Sequence, residues 1–229
     1  MDALSDGLYQ ASVWILPALI AITLHEAAHG FAAYALGDDT AKRMGRVSLN
    51  PLRHVDRFGT IILPGLLLLM RSPFLFGYAK PVPVNFSRLH PPRLGMILVA
   101  AAGPAMNLGL AYLAALGLAL VGDAPAETES WIAENLKNAA VLNVVLAVFN
   151  MLPVPPLDGG RVLVGLLPRP LAWRLHNLER VGILIVLGVL VLLPIIGRQI
   201  GINLSISPWL IGVPVEYLLD LISSLAGLE

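Results

Sequence analysis

The sequence predicts an all-α polytopic membrane protein of about five to six transmembrane helices, with a re-entrant or hairpin segment among them. Composition is the first reason. Of 229 residues, 57% are hydrophobic and 13% charged, where a soluble domain carries about a quarter charged residues, and mean hydropathy is +0.77. The second reason is the length of the apolar runs, because roughly 20 apolar residues cross the hydrocarbon layer as a helix. The third is the placement of bases, which cluster in alternate loops as the positive-inside tendency demands.

The first span runs from about Leu8 to Leu36 and stops at Gly37-Asp38-Asp39. Lys42, Arg43, Arg46, Arg53 and Arg57 follow, so this loop is expected in the cytoplasm and the N-terminus outside. Gly59 to Met70 is apolar but short, and Phe74 to Ala79 is shorter still. Both lie between basic flanks, so residues 59–79 read as a re-entrant hairpin that returns to the same side.

Leu94 to Val121 is the next span, rich in small residues that let another helix approach closely. An acidic loop with Asp123, Glu127, Glu129 and Glu134 then fits the outer side. Val141 to Leu152 returns inward and breaks at Pro153-Val154-Pro155-Pro156-Leu157-Asp158-Gly159-Gly160. Arg161, Arg169, Arg174 and Arg180 place that break in the cytoplasm, and Val181 to Ile196 and Ile206 to Leu225 supply two more spans. No repeat or appended soluble segment is evident, so residues 1–229 read as a single membrane-embedded domain.

Composition also excludes partners and chemistries. A net charge of zero and a pI near 7.0 leave no basic stripe to neutralise phosphates, so no nucleic acid is expected. The chain has no cysteine, which removes disulfides, thiolate ligands and cysteine nucleophiles. Met1 to Asp6 lacks the basic start of a signal peptide, so the first span is expected to be retained.

The chemistry concentrates at His25-Glu26-Ala27-Ala28-His29, inside the run Val13 to Leu36, which carries no other charge. On a helix, positions i and i+4 share a face, so His25 and His29 can direct two imidazole nitrogens at one metal with Glu26 beside them as a proton acceptor. Zinc is the usual metal for such a pair, and a catalytic zinc site needs a third protein ligand. Without cysteine, the candidates are His54, His90, His176, Asp56, Asp158 and Glu179. Asp158 leads, because it lies among prolines and glycines at the end of an apolar span, where its backbone is not expected to be ordinary helix. An ionisable group at membrane depth is costly unless it is paired or metal-bound.

The alternatives for the other residues are plainer. His54 reads as a solvated side chain in a basic loop, and His90 as a loop residue before Pro91-Pro92. His176 and Glu179 read as part of a salt-bridged interfacial face with Arg174 and Arg180. Gly103 and Gly109 read as packing residues, and Trp14, Trp131, Trp173 and Trp209 as interfacial belts.

Three motifs in order resemble the site-2 protease family, peptidase family M50, the intramembrane zinc metalloproteases. They are His25-Glu26-Ala27-Ala28-His29-Gly30, Gly103-Pro104-Ala105-Met106-Asn107, and Asn150 through Asp158-Gly159-Gly160. Asn50-Pro51 and Gly77 to Asn85 are similar to stretches of small bacterial members, and the chain lacks the PDZ and CBS domains of larger ones. The resemblance implies a three-helix catalytic core over about residues 10–165, with accessory helices over about 178–226. It implies that His25, His29 and Asp158 bind Zn2+ and that Glu26 is the catalytic base. Asn150 would position substrate or oxyanion, and Asn107 would be a structural core asparagine.

The activity implied is endopeptidic hydrolysis in or near transmembrane segments of membrane-protein substrates. The enzyme would lie in the bilayer, in a bacterial inner membrane, with its site toward the cytoplasm. A substrate helix hides its carbonyls in its own hydrogen bonds, so a segment has to unwind. Stretch 45–58, or alternatively 77–85, is expected to pair with it as a strand. The competing expectation is a metal-binding transporter or scaffold without hydrolysis, or an inactive family member; Glu26 beside both histidines argues for the enzyme. Substrate identity and oligomeric state are not encoded in any of these motifs.

Overall fold

The computed structural model describes residues 3–62, 66, 80–121 and 126–228. Among them the chain forms helices α1 (Ala3–Ala35), α2 (Thr40–Arg43), α3 (Pro92–Val121), α4 (Ala126–Asn150), α5 (Asp158–Leu166), α6 (Arg169–His176), α7 (Gly182–Leu187), α8 (Leu193–Gln199) and α9 (Val213–Ala226), and no β-strand. A π-helical turn at Gly188–Leu192 joins α7 to α8, and another at Pro208–Gly212 leads into α9. Among the described residues, five helices are long and apolar enough to cross a membrane: Gly7–Ala35, Pro92–Val121, Trp131–Asn150, Gly182–Gln199 and Pro208–Ala226. The all-helical membrane architecture is therefore the one composition predicts.

Two boundaries differ from expectation. The α4 helix begins at Ala126, far before Val141. Hydropathy registers the bilayer rather than the helix, and the stretch before Val141 is rich in good helix formers such as Ala, Glu, Leu and Lys. Asp158 was expected outside ordinary helix, yet it is the first residue of α5, after Leu157 in extended conformation at the N-cap. The irregular backbone is confined to Met151 through Leu157, where the prolines stop α4. The expected hairpin over 59–79 lies largely outside the described residues; Arg57–Ile62 forms a π-helical turn whose Phe58 and Gly59 amides donate to Asp56 Oδ1 at 3.0 and 2.7 Å.

The packing is that of a membrane protein. Ala21, Ala27 and Ala33 of α1 are buried with Ala100, Ala111, Ala114 and Ala115 of α3, whereas Ile15, Ile20, Leu98, Leu113 and Leu120 face outward. Lipid tails are as apolar as leucine, so helix association rests on close van der Waals approach through small residues. The α3 helix is central, packing against α1, α4, α5 and α9. All four tryptophans are substantially exposed, in keeping with belts at the interfaces.

Candidate metal centre

His25 and His29 lie one turn apart on α1 and are both buried, 7% and 8% exposed. Asp158, at the N-terminus of α5, is 5% exposed and brings its carboxylate between them. His25 Nε2 is 3.2 Å and His29 Nε2 3.4 Å from Asp158 Oδ2, and the two Nε2 atoms are 3.1 Å apart. Among the described residues this is the sole group of three His, Cys, Asp or Glu able to share one ion.

The protons on the two rings follow from their partners. His29 Nδ1 donates to the Val99 carbonyl at 2.7 Å, and His25 Nδ1 to Asn107 Oδ1 at 2.5 Å. Both acceptors need a hydrogen from the ring, so each neutral imidazole holds its proton on Nδ1 and directs a lone pair from Nε2. Two lone pairs and a carboxylate oxygen thus converge without a donor among them, and Asp158 Oδ2 is buried with no hydrogen-bond partner. Such an arrangement is repulsive by itself and is relieved by a cation. Ligands about 2.0 Å from a tetrahedral zinc stand ~3.3 Å apart, which matches all three separations. The nitrogen–nitrogen–oxygen donor set also suits zinc, so the residues fit the ion.

The α3 motif Gly103-Pro104 shapes this pocket in two ways. A Cβ on Gly103 would lie 2.5 Å from His29 Nε2 and 2.6 Å from His25 Nε2, so only glycine leaves room beside both ring nitrogens. Pro104 has no N–H, so the Ala100 carbonyl four residues back is left without its helical donor. In the same turn the Val99 carbonyl takes the His29 proton. Gly103 was expected to serve packing alone; it packs directly against the imidazoles. Gly109, by contrast, faces open space.

Glu26 is half-buried, and its Oε2 accepts the backbone N–H of Val82 at 2.8 Å. Val82 belongs to a strap, residues 80–89, that crosses the cluster-bearing end of α1 and is anchored along its length. The Lys80 N–H donates to the His54 carbonyl at 2.8 Å, the Asn85 N–H to Asp38 Oδ2 at 2.6 Å, and the His90 N–H to the Leu36 carbonyl at 2.9 Å. Leu89 is fully buried against Ala33 and Val99, with Val84 and Phe86 around them. Gly30 admits the strap, since a Cβ there would lie 3.3 Å from Val82 Cγ1. Prolines at 81 and 83 favour extended backbone and remove alternate N–H groups, leaving Val82 and Val84 as donors. Asp38 is fully buried and also accepts Thr40 N at 3.0 Å and Thr40 Oγ1 at 2.5 Å. Burial alone would raise its pKa, but the hydrogen bonds from Thr40 and Asn85 and the nearby Arg88 hold it below the ordinary carboxylate value.

The remaining candidates lie apart from the cluster. His54 was expected to be solvated but is 1% exposed, because its ring folds inward and Nε2 donates to the Ser48 carbonyl at 2.8 Å. His90 is an exposed loop residue. Glu179 bonds Arg161 at 3.4 Å and His176 at 3.3 Å, as a salt-bridged face would. Asn150 donates to the Leu146 carbonyl of its own helix at 3.0 Å, and no hydrogen bond among the described residues joins it to His25, Glu26, His29 or Asp158. Sequence reasoning missed Asn143, which bonds Asn107; a lone asparagine in an apolar run is the only signal it leaves.

A protein-family model described as peptidase family M50 matches residues 122–193. The chain is 38% identical over 181 residues to "Putative zinc metalloprotease YwhC" of Bacillus subtilis, covering 77% of this chain and 79% of that protein. It is 31% identical over 180 residues to "Putative zinc metalloprotease Rip2" of Mycolicibacterium smegmatis, covering 79% and 66% respectively. The Mycobacterium tuberculosis H37Rv protein of the same name is 31% identical over 203 residues, covering 89% and 71%. No solved structure matches the chain.

Proposed function

The chain belongs to peptidase family M50, and from that premise we propose how its own residues carry out intramembrane zinc proteolysis. The observation that carries the proposal is the triangle of His25 Nε2, His29 Nε2 and Asp158 Oδ2 with sides of 3.1 to 3.4 Å. These three residues hold Zn2+, and Glu26 is the general base. When bound, zinc supplies Lewis-acid activation of water and of the scissile carbonyl.

Glu26 takes the proton of the attacking water and returns it to the departing amide nitrogen, so that one carboxylate serves both halves of the hydrolysis. Its Oε2 is already held by the Val82 N–H, which leaves Oε1 to face the water. Asn107 and the Val99 carbonyl keep both imidazoles in the ligating tautomer. The anchored strap walls the cluster from the side of Gly30. Asn150, at the end of α4 ahead of the Met151–Leu157 turn, serves a bound substrate rather than the resting cluster.

The substrate is an unwound stretch of a transmembrane protein in the lipid bilayer, and residues 1–229 act as one membrane-embedded domain with its catalytic core over about 10–165. Bases after α1 and around α5 and α6 support a site toward the cytoplasm of a bacterial inner membrane, with the N-terminus outside. A non-hydrolytic metal carrier has no use for Glu26 fixed beside the ligands. The deciding experiment uses purified protein in detergent with a single-span substrate. Cleavage should vanish in Glu26→Gln while bound zinc stays, and should vanish with a chelator; cleavage that persists in both would overturn the proposal.

A further inference from the structure

The two ligand imidazoles are oriented by devices of different reliability. His29 donates to a backbone carbonyl, Val99 O, which accepts and cannot be reversed by any side-chain rotation. His25 donates to a carboxamide, Asn107 Oδ1. A carboxamide turned end for end would present N–H groups to His25 and demand the opposite ring tautomer, with the proton on Nε2 where a metal ligand needs a lone pair.

What prevents that reversal lies one residue further away. Asn107 is fully buried and Asn143 of α4 is 2% exposed. Asn143 Nδ2 donates to the Ala139 carbonyl at 2.8 Å, which turns Asn143 Oδ1 toward Asn107. Asn107 Nδ2 then donates to that oxygen at 2.7 Å, with the Ala21 carbonyl of α1 also in reach at 3.4 Å. Reversing Asn107 would press its oxygen against both acceptors, in apolar surroundings where an unpaired amide is costly. The chain of directions runs from the Ala139 carbonyl through Asn143 and Asn107 to His25, and crosses α4, α3 and α1.

We propose that Asn143, acting through Asn107, is a positioning residue that selects the His25 tautomer with its lone pair on Nε2 and thereby sets zinc affinity. This rests on the reading of His25 as a zinc ligand. Asn143 touches neither metal nor substrate, and its effect passes through one amide to one ring.

The test measures zinc dissociation constants of the purified full-length protein by competition with a chromophoric chelator. Asn143→Leu keeps comparable bulk but removes the acceptor for Asn107, and should weaken zinc binding 10- to 100-fold, the usual size of a second-sphere effect. Asn143→Asp should restore affinity to within a few-fold, because a buried carboxylic acid stays protonated and offers the same acceptor and donor. In a His25→Ala background, Asn143→Leu should change residual zinc affinity little, since the ring it orients is gone. Unchanged affinity in Asn143→Leu overturns the proposal. So does a loss that Asn143→Asp fails to rescue, or one that persists in full without His25, because either outcome means a general packing effect. If His25→Ala alone leaves zinc binding intact, the ligand assignment itself fails, separately from the relay.

Discussion

Val82 donates its backbone N–H to Glu26 Oε2 at 2.8 Å, across 56 residues of chain. A hydrogen bond to a carboxylate is stronger than a neutral one and fixes the side chain's rotamer as well as its charge. The strap 80–89 therefore acts directly on the proposed base, which would make the residues that anchor it relevant to catalysis.

Val82→Pro removes this donor in a segment where proline is already compatible at 81 and 83. Turnover should fall about tenfold with zinc content unchanged, while Val82→Ala, which keeps the N–H, should stay near wild type. Comparing kcat and bound zinc in the two variants checks this, and equal activity would separate the strap from the base.

Gly103→Ala should remove zinc binding, because its Cβ would sit 2.5 to 2.6 Å from the Nε2 atoms of His29 and His25, the proposed ligands. Gly109→Ala, whose Cβ meets nothing within 4 Å, should be silent. Metal analysis of the two proteins after identical purification distinguishes an effect at the centre from a general intolerance of α3 to alanine.

Asp158→Ala should lower bound zinc well below stoichiometric, since two imidazoles remain. Zinc at 100 times its dissociation constant stabilises a folded protein by about 2.7 kcal/mol, so chelation should lower the thermal midpoint of the wild type and leave that of Asp158→Ala nearly unmoved. A chelator-sensitive midpoint in the variant would place the third ligand elsewhere.

Asp38→Asn should loosen the strap at its Asn85 anchor, costing about 2 kcal/mol for hydrogen bonds to a buried carboxylate. Because the folded pKa of Asp38 is depressed, its contribution is complete above the ordinary carboxylate value, about 3.9, and fades as pH falls through the lower folded value. The stability gap between wild type and variant, followed downward from pH 7, should be flat to about pH 4 and close below it.

The chain has no native cysteine, so single introduced thiols report its orientation. A cysteine at exposed Leu49, in the basic loop, should be labelled only after the membrane is opened, and one at exposed Ile202, beyond α8, in intact cells. The reverse pattern would invert the proposed topology.

Local signals were legible in the chain. The spacing of His25 and His29, the apolar runs and the proline break before Asp158 are all encoded within one or two helical turns, where periodicity and propensity speak directly. Boundaries were less so: α4 reaches back to Ala126 because a helix continues through polar surroundings that hydropathy discounts.

The sequence by itself determined the architecture, the pair of imidazoles on one face, and a short roster of further ligands headed by Asp158. Only the tertiary structure decided that Asp158 Oδ2 meets both Nε2 atoms, that Val82 holds Glu26, that His54 is buried, and that Asn143 orients Asn107. The contacts of Asp158, Val82 and Asn143 join residues tens to more than a hundred positions apart, and no local periodicity encodes which of many buried polar groups will meet. Their pairing is imposed by α3 drawing α1, α4 and α5 together through small residues, after which each buried donor and acceptor must find the partner that geometry leaves it.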